Sequence, residues 1–221
     1  MMVLTTRGRR ALACIALSTA LTVPITASAA PQTYVYAVTH SVYGAVGDFT
    51  YVASEADGLR RAENRLNVVV KILGLTLHRE SSVQVETWRG DRLISFQGQT
   101  TSKGRRTLIS GAASGDRFVV TTPEGTEIGP ADVLGTDPWS LTRTGPGTIV
   151  SLRTGKITPV RVTGGETETL ALNGAPEPVR HFHVNTAAQA DKWEVWINGK
   201  GVPVKYRSLE GSGAVTFTLK P

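Results

Sequence analysis

The sequence predicts an all-β protein, built as a large curved antiparallel meander sheet or as an incompletely closed, flattened barrel, with little or no helix in the mature chain. Apolar and polar residues alternate with a period of two along most of the sequence, as in strands with one buried face. Glycine-containing turn signals recur at intervals that leave room for short strands. About a dozen or more strands fit, and an antiparallel sheet of that size must twist, curl or close on itself.

The first 29 residues have the layout of a secretory signal peptide. A basic front that ends in Arg9-Arg10 precedes an apolar run from Ala11 to Ile25, and small residues follow at 27–29. The apolar run is too short to anchor the chain stably across a bilayer. We therefore expect cleavage after Ala29, a periplasmic or secreted location, and one mature domain over 30–221 that does not span the membrane. The paired arginines leave both Sec and twin-arginine export open.

Charge and cysteine content argue against two classes of protein. The formal net charge is +6, from 24 basic and 18 acidic residues, but three of the arginines precede residue 12. The mature domain is therefore close to neutral, and we predict no nucleic-acid partner. The only cysteine, Cys14, lies in the predicted signal peptide, so the mature domain cannot be a disulfide scaffold.

Two segments depart from the alternation. Residues Leu66–Leu77 are nearly continuously apolar, and the three consecutive valines favour a strand covered on both faces over a helix. Residues 130–144 show no alternation. We expect this second segment to hold one helical turn at Pro138–Leu141 or to lie as a loop across a sheet face.

Four stretches show the alternation most clearly and are predicted strands joined by hairpins. Turn signals such as Arg89-Gly90-Asp91 and Asn173-Gly174 separate strands from their neighbours, because glycine adopts positive φ without steric cost. The four stretches are residues 83–88, 192–197, 202–206 and 215–219.

His181 and His183 are two residues apart on a predicted strand, so both side chains point to the same face. Such a pair binds zinc when another strand supplies a third ligand. Two histidines on a half-polar sheet face are the alternative. The sequence contains no H-E-x-x-H motif, and we predict no metal and no cofactor.

Motifs for nucleophilic or phosphate chemistry are incomplete. Ser114 lacks the spacing and the following helix of a nucleophile elbow. Thr154-Gly155-Lys156 resembles the end of a phosphate loop, but Val150 occupies the position at which that loop requires glycine. Glu86 lies two residues from a tryptophan, which raises a carboxyl pKa when it excludes water. We instead expect Glu86 to pair across a hairpin with Arg92 or Lys103. The protein is accordingly predicted not to be an enzyme.

The tryptophans are the most suggestive side chains for ligand binding. Large aromatic side chains serve either as packing anchors or as the lining of a groove, and both readings stay open. Two short basic segments, Lys103–Arg106 and Arg60-Arg61, fit either anionic lipid headgroups or solvated turns. The candidate ligand-binding residues are Trp88, Trp139, Trp193, Trp196, Val70 and Ile72.

Four motifs occur together along the mature chain: ETWRGDRL at 86–93, DPW at 137–139, TGK at 154–156 and WEVW at 193–196. In this set and order the sequence resembles an uncharacterised bacterial exported family, the domain of unknown function 6134. Members usually carry an aspartate in the turn after WEVW, where this chain has Asn198. The resemblance implies an exported all-β protein and no assigned activity. At the level of fold, the pattern is more distantly similar to the half-barrels of periplasmic lipoprotein carriers.

Three functions follow from these observations. The leading prediction is a non-catalytic, exported envelope protein that holds an apolar ligand or lipid on the concave sheet face. This prediction is based on the apolar Leu66–Leu77 segment, because a strand that is apolar on both faces needs a cover on each side. The alternative is a structural or interaction module that docks on another envelope protein. The third is a metal-dependent hydrolase that uses His181 and His183.

Overall fold

The computed structural model describes residues 30–172, 174–211 and 213–221, and the predicted signal peptide lies outside the described residues. One antiparallel sheet of 14 strands forms the fold, which confirms the all-β prediction. Within the described residues, no helix has the length and apolar character needed to cross a membrane. The strands are β1 (Gln32–His40), β2 (Gly44–Ala56), β3 (Leu59–Ile72), β4 (Leu75–Arg89), β5 (Arg92–Ser102), β6 (Arg105–Ser114), β7 (Arg117–Thr122), β8 (Gly125–Pro130), β9 (Gly145–Val150), β10 (Ile157–Leu172), β11 (Ala175–Thr186), β12 (Trp193–Asn198), β13 (Pro203–Glu210) and β14 (Gly213–Leu219).

The sheet curls until it is nearly closed. The order of strands is β8-β7-β6-β5-β4-β3-β2-β1-β14-β13-β12-β11-β10-β9, so β1 lies in the middle and pairs with both β2 and β14. The two edge strands β8 and β9 form no ladder with each other among the described residues, which leaves a seam. At this seam the backbone N–H of Ile157, the first residue of β10, donates to the Glu127 carboxylate of β8 at 3.0 Å. The seam corresponds to the incomplete closure that the sequence predicts.

The segment that joins the two edge strands, residues 131–144, runs through the barrel interior and is called the plug segment below. Its Val133 and Leu141 are fully buried. Leu134 forms a parallel bridge with Ile149 of β9. The segment crosses an inner sheet face and contains one 3₁₀ turn at Ser140–Thr142, so both parts of the expectation for this region are present, with the turn two residues later.

The prediction of a doubly covered strand over Leu66–Leu77 is wrong. The segment is the end of a hairpin, in which β3 turns into β4 at Leu73-Gly74. Both turn residues have positive φ, 48° and 83°, as a type I′ turn requires. A type I′ turn normally has the sequence Asn-Gly. Because Leu73 occupies the asparagine position, the sequence did not predict a turn here. The side chains of Ile72, Leu73, Leu75 and Leu77 are exposed.

All hairpin turns that follow an odd-numbered strand lie at one end of the barrel. This arrangement follows from the strand order, because every neighbouring pair is antiparallel and odd strands therefore run in one direction. We call this the rim end. The β3–β4 hairpin is among the longest, with strands of 14 and 15 residues. The rim end therefore contains the exposed leucines, together with the turns around residues 42, 103 and 152.

Candidate functional site

A cavity of about 940 Å³ occupies the rim half of the barrel. It extends from Asn64 and Asp137 in the interior to Tyr43 and Leu77 at the rim end. The alternation of β3 produces this depth, because residues of even number such as Val68 and Val70 point inward along the whole strand. Barrels with many strands enclose more space than inward side chains fill, and a cavity is the expected result.

One wall of the cavity is apolar and comes from β1, β2, β3 and β14. Val38, Val46 and Val70 are buried together. Phe49 and Phe217 pack against them, with their rings edge to face and centroids 5.5 Å apart. This wall lies between the deep end and the rim, where an apolar molecule would exclude water on binding.

The turn between β9 and β10 folds inward over the mouth of the cavity. Leu152 of this turn is buried in one cluster with Phe96 of β5. Arg153 reaches across to β4, and its Nη1 lies 3.3 Å from both carboxylate oxygens of Glu80. His78 Nε2 is 3.6 Å from the same carboxylate. The mouth therefore carries polar and charged groups next to the apolar wall.

Glu86 is fully buried at the deep end. Its Oε1 accepts a hydrogen bond from Asn64 Nδ2 at 2.7 Å, and its Oε2 accepts one from Trp88 Nε1 at 2.9 Å. Burial, followed by the charge of Asp137, raises the pKa of the Glu86 carboxyl well above its ordinary value. The predicted pairing across a hairpin is wrong, because the side chain points into the barrel.

Asp137 of the plug segment is the second buried carboxyl. Its oxygens accept hydrogen bonds from the backbone N–H groups of Trp139 and Ser140, at 3.0 and 3.3 Å, and from the Ser140 hydroxyl. Burial raises the pKa of Asp137, and these hydrogen bonds oppose the rise. Asn64 also lines the cavity, and its Oδ1 has no hydrogen-bond partner among the described residues. The deep end thus offers both hydrogen-bonding and ionisable groups.

The six candidate ligand-binding residues are divided among different environments. Val70 and Trp193 line the cavity. Trp88 is sealed in the cluster around Phe96, while Ile72 lies at the exposed hairpin end.

The two remaining tryptophans also lie away from the cavity lining. Trp139 stacks on Tyr51, with ring centroids 3.9 Å apart. Trp196 contacts His181 on the face of β12 opposite to Val195 and Ile197, which pack in the interior. The sequence analysis missed Asn64, Asp137 and Arg153, because their placement depends on the plug segment and on the folded-in turn.

A second polar cluster surrounds the two histidines of β11. His181 Nε2 lies 3.2 Å from Glu194 Oε1, and His183 Nδ1 lies 4.0 Å from the same oxygen. His183 Nδ1 is also 3.0 Å from Asp191 Oδ1. One ligand atom from each of His181, His183 and Glu194 lies within 4.8 Å of the others. Glu194 on β12 is the residue from another strand that a zinc site would require.

The neighbours of this cluster hold its side chains in place. The Trp196 ring stacks on His181, with centroids 4.2 Å apart, and its Nε1 donates to Glu168 at 2.7 Å. Glu168 also lies 3.4 Å from His181 Nδ1. Arg207 forms an ion pair with Oε2 of Glu194. That contact leaves Glu194 Oε1 directed at the two imidazoles.

Asn198 performs the turn role expected of the aspartate at this position. Its side-chain Oδ1 accepts the backbone N–H groups of Lys200 and Val202, at 3.1 and 3.0 Å. A carboxylate oxygen would accept the same two bonds, so the turn needs an acceptor and no charge.

Comparison with solved structures shows the fold. The crystal structure of a beta-barrel-like protein of the domain of unknown function DUF1849 from Brucella abortus has a TM-score of 0.56 and 9% sequence identity to this chain. The match covers 86% of this chain and 95% of that one. At this identity the likeness concerns architecture alone.

The sequence comparisons give a family without an activity. Among curated proteins, no sequence matches this chain. A family described as a domain of unknown function, DUF6134, matches residues 43–220, which include the histidine cluster and every strand of the barrel except β1. The chain therefore belongs to the DUF6134 family.

Proposed function

We propose that this protein is an exported, non-catalytic binding protein that holds an amphiphilic ligand in its barrel, with the apolar part inside and the polar part at the mouth. The observation that carries this proposal is the cavity of about 940 Å³ with an apolar wall below a charged mouth. Small-molecule sites have volumes of about 300–1,000 Å³ and are lined mainly by apolar side chains. A periplasmic or secreted location is proposed from the signal-like residues 1–29.

The distribution of polarity along the cavity supports a lipid-like ligand. Each buried methylene group contributes about 0.8 kcal/mol, so an acyl chain along Val38, Val70 and Phe217 would supply most of the binding free energy. A polar head group would remain beside Arg153 and Lys156, both of which line the mouth. Glu86 is fully buried and bonded to its neighbours, which favours a structural role for it over acid–base catalysis.

The test is binding of a fluorescent apolar probe to the protein, produced with its own first 29 residues and purified without a tag or detergent. The Val70→Trp variant fills the cavity and is expected to weaken probe binding by about tenfold or more. Val83→Trp, at an exposed position on β4, is the matched control and should bind as the unmodified protein does. Solvent extracts analysed by mass spectrometry would identify a bound lipid.

Two results would contradict the proposal. One is an unmodified protein that carries no lipid and binds no apolar probe. The other is equal probe binding by the two tryptophan variants. Either result would favour the alternative, an interaction module that docks on another envelope protein, which crosslinking in cells would then test.

A further inference from the structure

The rim end exposes more apolar surface than the rest of the barrel. The exposed fractions are 43% for Ile72, 98% for Leu73, 72% for Leu75 and 55% for Leu77, all on the β3–β4 hairpin. The neighbouring β1–β2 turn adds Val42, which is 66% exposed. Large aliphatic side chains clustered in this way on a folded protein mark a contact with another apolar phase.

The turn geometry forces this exposure. Leu73 has a φ of 48°, in the left-handed region that aliphatic residues avoid. Because the type I′ turn leaves only two residues between the strands, the Leu73 side chain projects beyond the end of the sheet. An asparagine would suit this position better for folding alone. A leucine in its place indicates that the apex serves binding.

Basic residues flank the apolar tip. Lys71 and Arg79 lie on the same hairpin, and Lys103, Arg105 and Arg106 lie on the adjacent β5–β6 hairpin, all exposed. Within the described part of the chain, none of these five basic residues forms an ion pair. The acidic residue on these two hairpin ends is Glu80, which is buried and paired with Arg153.

We propose that the rim end docks on an anionic bilayer, with the β3–β4 tip inserted among the acyl chains and the flanking basic residues at the headgroups. A bilayer is the occupant that matches both observations, because it offers an apolar phase below a negatively charged surface. Leu73 at the apex is 98% exposed, which suits insertion into a fluid phase. From the sequence, Lys103–Arg106 fits either anionic lipid headgroups or a solvated turn, and this proposal assigns it to the headgroups. Arg60, of the other basic segment, lies against Trp88 and Tyr51 instead.

This docking rests on the proposed function and extends it to a route of transfer. Leu77 and Tyr43 belong both to the exposed rim and to the cavity lining. An amphiphile leaving the bilayer at the tip would therefore enter the cavity along apolar side chains without crossing water.

The test is co-sedimentation of the untagged protein with phosphatidylcholine vesicles, with and without phosphatidylglycerol. We expect binding that requires phosphatidylglycerol and weakens as salt is added. Leu73→Asp combined with Leu75→Asp should reduce binding by about tenfold or more, and so should Lys103→Glu combined with Arg105→Glu. Ile128→Asp, at an exposed aliphatic residue on β8, is the control and should bind normally.

Three results would overturn the docking proposal: no vesicle binding, equal binding by the tip variant, or a change in the oligomeric state of the tip variant in size-exclusion chromatography. Probe binding without vesicles separates this proposal from the previous one. The tip variant should keep it, because Leu73 and Leu75 do not line the cavity. Val70→Trp should lose probe binding and still sediment with vesicles. Unchanged circular dichroism of each variant is the folding control.

A different observation supports a second inference, which departs from the prediction of no metal. We infer that His181, His183 and Glu194 form a binding site for a divalent transition-metal ion such as Zn²⁺. Two imidazoles and a carboxylate are the ligand set of many zinc sites. Neighbouring ligand atoms around a tetrahedral ion with bonds of about 2.1 Å lie roughly 3.4 Å apart. The distances of 3.2 and 4.0 Å from the Glu194 oxygen to the two imidazole nitrogens need little adjustment.

Partners outside the three ligands support the site. His181 Nδ1 faces Glu168, as ligating histidines commonly face a carboxylate with their second nitrogen. His181 Nε2 is buried, and its one ion-pair neighbour among the described residues is Glu194 Oε1 at 3.2 Å, with which it makes no hydrogen bond, so an ion between these two atoms would satisfy both. Asp191, beside His183, could supply a fourth ligand. The positive charge of Arg207, which pairs with Glu194, repels a cation, so we expect the affinity for the ion to be moderate.

Equilibrium dialysis of the untagged protein against Zn²⁺ tests this second inference. One ion per chain is expected, with binding weakened about 100-fold or more in His181→Ala and in His183→Ala. His78→Ala, at the cavity mouth, is the control and should bind normally. No bound zinc, or equal binding by all three variants, would overturn it. His183→Gln, which keeps a polar side chain, guards against misfolding.

Discussion

The carboxyl group of Glu86 is buried among polar neighbours that shift its pKa in opposite directions. Burial and Asp137 raise its pKa above the ordinary 4.5, while the hydrogen bonds from Trp88 and Asn64 lower it. Since the folded pKa is the higher one, the folded protein binds this proton more tightly than the unfolded chain does. The contribution to stability is therefore fully present below pH 4.5 and is lost as the pH rises towards the folded pKa.

Glu86→Gln is expected to remove this pH dependence. Asn64 Oδ1 makes no hydrogen bond among the described residues, so the Asn64 side chain can rotate by 180° without losing one there. Its Oδ1 would then accept a hydrogen bond from the side-chain NH₂ of the glutamine. At about pH 8 the variant should be more stable to chemical denaturation than the unmodified protein by roughly 1–3 kcal/mol, and at about pH 4 the difference should be small. Glu124→Gln, on an exposed turn, is the control. Parallel stability curves for the two proteins between these pH values would contradict the assignment.

The surroundings of Glu86 also show which structural feature the alternation of apolar and polar residues does not predict. The period of two places Glu86 and Trp88 on one face of β4, and the structure agrees. It does not say which face is inner, because Val83 and Val85 on the opposite face are equally suited to a core. The inner face is decided by distant partners, including Asn64 on β3 and Asp137 in the plug segment.

The plug segment shows how an element without regular structure stabilises the barrel. Trp139 stacks on Tyr51 of β2 at 3.9 Å and contacts Tyr34 of β1 at 5.5 Å. It thereby ties the connection between the two edge strands to the middle of the sheet. An absence of alternation predicted a loop here, but the position of the loop depends on strands far away in sequence.

Trp139→Ala is expected to reduce the free energy of unfolding by about 3 kcal/mol, because a large aromatic side chain leaves a void beside Tyr51. Trp139→Phe keeps an aromatic contact and should cost clearly less. Urea denaturation followed by circular dichroism measures both. A loss of less than about 1 kcal/mol for the alanine variant would show that the plug is held by its other buried residues.

At the scale of the whole molecule, the weak edge of the sheet is β8, because the other edge strand, β9, bonds to Leu134 of the plug segment. Strand β8 pairs on one side alone, and each of its residues is at least partly exposed. Edge strands with few buried contacts open at low free energy. The sequence predicted incomplete closure, but it could not show where the gap lies, because each hairpin looks alike in a meander.

Hydrogen exchange should therefore be fastest at the seam. Among strand amides, those of β8 are expected to exchange first and those of β1, which pairs on both sides, among the last. Glu127→Ala should further expose the Ile157 amide by removing its acceptor. Mass spectrometry of peptides gives these rates. Uniform protection across β8 and β1 would mean that the seam is sealed in solution.

The pairing of the first strand with the last has a consequence for biosynthesis. Tyr36 on β1 lies opposite Leu219 on β14, so the inner edge of β1 remains open until the final strand has been made. The strands β2 to β8 can add to β1 as local hairpins much earlier. An unfinished chain would therefore present a long unpaired edge, which is prone to pair with other chains. We expect a nascent molecule to need a holding chaperone until β14 has been synthesised.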